Sequence, residues 1–118
     1  MSTIEKRRHV RIDSFNLSYI CVDEKGEVVN QGMGRTLNVS ESGILLETYF
    51  LIESGQLLEL TIALDDKLID IKGKVVHHRR GKGRSFEAGI EFADLTEEML
   101  NDIKIYIEMF QNRENSDD

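Results

Sequence analysis

"GILLETYFLIESGQLLELTIALDDKLIDIKGKVVHH", Gly43 to His78, is the stretch whose reading decides the fold. Three apolar runs, "GILLETYF", "QLLELTIAL" and "LIDIKGKVVHH", are strand candidates rich in Leu, Ile and Val. The separators "ESG" and "DDK" are too short for a crossover helix and consist largely of turn residues, so the strands are expected to pair as antiparallel hairpins. Upstream, "NLSYICV" alternates loosely, and the turn "DEKG" leads into "EVVNQGMGRTLNV", a longer strand weakened by two glycines. "SESG" precedes the third candidate, and downstream "RRGKGR" leads to a sixth, "SFEAGIEF". Six candidates between about Asn16 and Phe92 predict a mainly β fold, a six-stranded antiparallel barrel whose closure removes exposed sheet edges.

From Asp94 the pattern changes to helical spacing. "DLTE" has the form of a capping box, with Asp94 as N-cap and Glu97 three positions on, and predicts a C-terminal α-helix over about 95–111. Met99, Leu100, Ile103, Tyr106, Ile107 and Phe110 share one stripe, whereas Ile105 and Met109 fall outside it. Those two read as surface or peripheral core residues, or alternatively as part of a partner surface. The barrel and helix together take 15–111, flanked by a mobile N-terminal arm over 1–14 and a disordered acidic tail over 112–118.

At 118 residues, 40% hydrophobic and 31% charged, the chain has room for one domain and is apolar enough to fold. No apolar run approaches the roughly 18 residues of a membrane span and no apolar leader follows the N-terminus, so a cytoplasmic protein without membrane insertion is expected. Cys21, the single cysteine, cannot close an intrachain disulfide or build a Cys-based zinc site. No catalytic signature is present: no serine lies in an elbow motif, and "GKGRSFEAG" matches no phosphate-loop spacing. His77 and His78, adjacent on a strand, point to opposite faces and cannot readily share a metal, so neither an enzyme nor a metal site is expected.

Charge is the more informative quantity. The net charge is -7, yet basic residues concentrate at Lys6, Arg7, Arg8 and Arg11, and again at Arg79, Arg80, Lys82 and Arg84. The acidic remainder disfavours long polyanions, which argues against DNA or RNA, but not against a small anion held locally. Arg7 and Arg11, four apart, project to one side of a turn or helical loop about 6 Å from each other. Arginine forks bond phosphate and the O6 and N7 acceptors of guanine bidentately, and they stack on purines. Taken alone, the segment is equally a solvated arm. "NVSESG", Asn38 to Gly43, is by itself a strand-connecting turn. Its Asn38 and Ser40 also alternate onto one face with oxygens suited to guanine N–H groups, and Gly43 permits close backbone approach or a positive φ.

Together, Arg7-x-x-x-Arg11 and Asn38-x-Ser40-x-x-Gly43 resemble the paired signature of PilZ domains, RxxxR and [D/N]xSxxG. The likeness runs from Glu5 to about Phe110 and includes "GILLET", "AGIEF" and the final helix. It implies a split-barrel fold and cyclic di-GMP as ligand, with no other cofactor. By the same resemblance, Arg7 and Arg11 contact phosphate and guanine, Asn38, Ser40 and Gly43 form the barrel half of the site, and Arg8 is a further contact. A basic residue at Lys6 resembles members that bind two stacked ligands; Arg79, Arg80 and Arg84 read as a basic hairpin loop or, by the resemblance, as candidates for touching the second. The implied role is a single-domain receptor, monomer or homodimer, in which ligand orders the arm and creates a surface for an effector protein in motility, biofilm or exopolysaccharide control. The alternatives are a PilZ-like interaction module that binds no nucleotide and a small barrel for single-stranded nucleic acid; the 7% aromatic content and absence of Trp disfavour the latter.

Overall fold

In the computed structural model the stretch from Gly43 to His78 supplies three strands of one closed barrel. The structure describes residues 15–64 and 67–115. Among these, the strands are β1 (Asn16–Val22), β2 (Val28–Val39), β3 (Gly43–Thr48), β4 (Leu57–Leu64), β5 (Lys67–Arg80) and β6 (Phe86–Ala93), followed by the helix α1 (Glu97–Asn115). The strand order around the barrel is β1-β2-β3-β6-β5-β4, and every pairing is antiparallel. The expected six-stranded antiparallel barrel with a C-terminal helix is therefore what the chain forms.

Alternation explains the interior. Leu17, Tyr19 and Cys21 from β1 point inward with Ile44 and Leu46 from β3, Leu58, Leu60, Ile62 and Leu64 from β4, and Ile69, Ile71 and Val75 from β5. Ala88 and Ile90 complete the wall from β6. Burial pushes the Cys21 thiol up to about 11, which identifies it as a structural thiol. The Tyr19 hydroxyl, buried without a hydrogen-bond partner among the described residues, lies where a Cβ on Gly32 would come within 2.8 Å of it.

The helix packs on the barrel through Ile103, Tyr106 and Phe110. Phe15 lies against both rings of the last two, with centroids 5.7 Å from Tyr106 and 5.3 Å from Phe110. Tyr106 shares a buried 2.7 Å hydrogen bond with the Thr36 hydroxyl of β2, and Lys67 pairs with Asp102 at 3.1 Å. The N-cap and the helix end differ from the sequence-based expectation. The N-cap is Thr96, whose Oγ1 accepts the Met99 N–H at 3.1 Å while its carbonyl accepts the Leu100 N–H at 2.9 Å. Asp94 instead takes a left-handed φ of 56°, which small polar side chains tolerate, and turns the chain from β6 into the helix. Met109 packs against the core, whereas Ile105 is exposed. The helix also runs to Asn115, four residues past the expected end, because no Gly or Pro interrupts the good helix formers after Phe110.

Candidate functional site

Two irregularities in the sheet build a cleft on the barrel's outer face. On β2, Thr36 faces the core, and strict alternation would send Asn38 inward as well. The register shifts between Thr36 and Asn38, leaving Leu37 as the extra residue, and the shift turns Asn38 outward. On β5 the same happens one strand pair away. Val75 is buried, the register shifts between Val75 and His77, and His77 faces solvent. Pairing then aligns Asn38 with Leu45, Leu45 with Gly89, and Gly89 with His77, in one row across β2, β3, β6 and β5. Beside it Gly43 pairs with Glu91.

An open cleft of about 390 Å³ lies over these rows, with Asn38, Ser40, Ser42, Gly43, His77 and Arg79 among its lining residues. Its edge is the β2–β3 turn. The Ser40 N–H donates to the Gly43 carbonyl at 2.9 Å, the Ser42 N–H to the Ser40 hydroxyl at 3.3 Å, and the Phe92 N–H of β6 to the Ser42 carbonyl at 2.9 Å. The Ser40 and Ser42 hydroxyls meet at 3.1 Å, and Asn38 Oδ1 accepts the Val39 N–H at 2.9 Å. These bonds fix the wall locally while the Asn38 amide N–H groups remain able to donate and its oxygen retains a second lone pair.

Gly43 is needed here for packing rather than for a positive φ. A Cβ on it would overlap the Ile90 carbonyl oxygen of the neighbouring strand. Gly89 is needed for a different reason. A Cβ there would occupy the space of the His77 imidazole, whose Nε2, Cε1 and Cδ2 atoms cover the glycine.

The cleft's charge is mixed. Arg79 reaches it while its guanidinium pairs with Glu87 at 2.8 Å, and Glu91 lines the same wall. One step along the sheet Arg35 pairs with Glu47 at 3.0 Å, so Arg35, Glu47, Glu87 and Arg79 form a cross-strand charge row bordering the site. Arg80 sits over the Phe86 ring at 5.8 Å and is not part of the cleft wall.

Of the residues singled out in sequence, Asn38, Ser40, Gly43 and Arg79 come together on this cleft, whereas Arg80 and Arg84 are not among its lining residues. Lys6, Arg7, Arg8 and Arg11 lie outside the described residues. His77, Ser42, Gly89 and Glu91 line the cleft without having been assigned to it from sequence; the signal that brings His77 there is the bulge at Val76, which alternation alone does not reveal. No cluster of three or more His, Cys, Asp or Glu suited to a metal ion occurs among the described residues, and no described helix is long and apolar enough to cross a membrane.

Comparison with known proteins agrees with this geometry. The family model described as PilZ domain matches residues 5–109. Among curated proteins, none matches the chain by sequence. Among solved structures, the PilZ domain of CeSA from a cellulose-synthesising bacterium aligns with a TM-score of 0.58 at 10% identity, covering 83% of this chain and 95% of that one. K. pneumonia MrkH in its apo state aligns with a TM-score of 0.58 at 15% identity, covering 85% of this chain and 49% of MrkH, so the chain spans about half of that protein's length.

Proposed function

The chain belongs to the PilZ domain family, and from that membership we propose that it is a cyclic di-GMP receptor acting through a partner protein rather than through a reaction of its own. The observation that carries this reading is the meeting of Asn38, Ser40 and Gly43 on one cleft beside the point where the N-terminal residues join the barrel. The Thr36 N–H donates to the Phe15 carbonyl at 3.0 Å, which anchors residue 15 two positions along β2 from Asn38. Arg11 is four residues upstream of Phe15, and four residues extend at most about 14 Å. That reach covers the distance to Asn38, about 7 Å along an extended strand.

In this reading Asn38 and Ser40 hydrogen-bond a guanine from the barrel side. Arg7 and Arg11 close on the phosphates and the guanine edge, and Arg8 adds a third cation. A dinucleotide with two phosphates and two bases bridges the N-terminal arm to the wall, and the combined surface is what the partner recognises. The motility, biofilm or exopolysaccharide machinery of a bacterial cytoplasm is the setting proposed for that partner. Lys6 favours two stacked ligands per chain.

Calorimetric titration of the full chain with cyclic di-GMP tests the proposal. Binding is expected at micromolar concentrations or below, with Arg7→Ala and Arg11→Ala each weakening it at least tenfold, about 1.4 kcal/mol, while the barrel stays folded. The same titration gives the stoichiometry. No heat at micromolar concentrations would remove the receptor role and leave a protein-interaction module, and unchanged affinity in both variants would remove the site.

A further inference from the structure

One residue of the cleft is built into position without any use in the barrel itself. The bulge at Val76 turns His77 outward, and Gly89 has no side chain where the imidazole lies. Neither feature adds a side chain to the core, whose nearest members are Val75 on β5 and Ala88 and Ile90 on β6. No hydrogen bond or ion pair joins the His77 side chain to another described residue. By contrast His78, one residue along, takes a 3.0 Å hydrogen bond with the Ser54 hydroxyl in the loop between β3 and β4. The sheet thus presents one imidazole, in register with Asn38, at the opposite side of the row.

We propose that His77 is a ligand-binding residue of this cleft, meeting the dinucleotide from the β5 side while Asn38 meets it from β2. The inference rests on the cyclic di-GMP reading and adds to it a contact outside the two signature motifs. An imidazole offers a flat face for a purine and, once protonated, a second N–H donor and a positive charge for a phosphate. The charged side chains lining the cleft with it are Arg79 on its own strand, itself paired with Glu87, and Glu91 on β6. The residues that β2, β3 and the turn between them contribute, including Asn38, Ser40, Ser42 and Leu45, are neutral. The imidazole therefore sets a flat, polar-edged ring beside the cation that Arg79 provides.

The test is titration of cyclic di-GMP into the parent, His77→Gln, His77→Ala, Gly89→Ala and the control His78→Gln, with a thermal melt of every variant. His77→Gln and His77→Ala should weaken binding about tenfold, with the melting temperature retained. Gly89→Ala, which displaces the ring rather than strand backbone, should reproduce the loss. His78→Gln should keep the parental affinity. Parental affinity in His77→Ala would overturn the assignment, as would an equal loss in His78→Gln. A parent that does not bind cyclic di-GMP at all would instead overturn the receptor reading, and this inference with it.

Discussion

Replacing Gly43 by alanine should damage the barrel before it damages any binding. The added Cβ would overlap the Ile90 carbonyl oxygen and lie 3.3 Å from the Ile90 carbonyl carbon and 3.4 Å from the Glu91 Cα, all backbone atoms of β6. No side-chain rotation relieves such a clash, so β3 and β6 must separate locally. One 2.9 Å hydrogen bond ties β6 to this corner, Phe92 N–H to Ser42 O, and it loosens if the strands part. Overpacking of this kind costs about 1–3 kcal/mol, and the weakened bond adds about 1 kcal/mol. A total near 3 kcal/mol corresponds to a fall in melting temperature of roughly 10–15 °C for a domain of this size. Thermal and urea unfolding followed by far-UV circular dichroism, without ligand, measures it. Parental stability in Gly43→Ala would refute the packing argument and return the glycine to a purely ligand-facing role.

Two further outcomes follow from the interior. Tyr106→Phe removes the 2.7 Å bond to Thr36 and leaves a buried hydroxyl without its partner, so urea unfolding should show a loss of about 1–2 kcal/mol. Cys21 should resist thiol reagents at pH 8 in the folded chain and react fully on unfolding. Because burial raises the folded thiol to about 11, the unfolded chain deprotonates first; stability is intact below the ordinary thiol range near 8.5 and declines as pH rises toward 11.

The strands were legible because their apolar runs and turn residues are local signals, and each of the six candidates overlaps a strand of the barrel. What joins them was not. The bulges at Leu37 and Val76 arise from the way neighbouring strands meet around the closed barrel, and strict alternation would have sent both Asn38 and His77 into the core. So "NVSESG" is readable as a motif, but its partner across the row is not, because nothing local in "VVHHRR" marks His77 as facing the cleft. The helix start was misplaced for a similar reason. Asp94 and Thr96 are both capping residues by type, and the turn out of β6, which takes Asp94 into a left-handed conformation, leaves the cap to Thr96.

Phe15 has a consequence beyond packing. Held between the Thr36 backbone and the rings of Tyr106 and Phe110, it makes the first described residue of the chain a fixed tether point rather than a loose end. On the receptor reading, the length of chain between this tether and Arg11 sets the effective concentration of the arginine at the cleft, on the order of millimolar or above. The C-terminal helix, through Tyr106 and Phe110, therefore helps fix the point from which the basic segment starts.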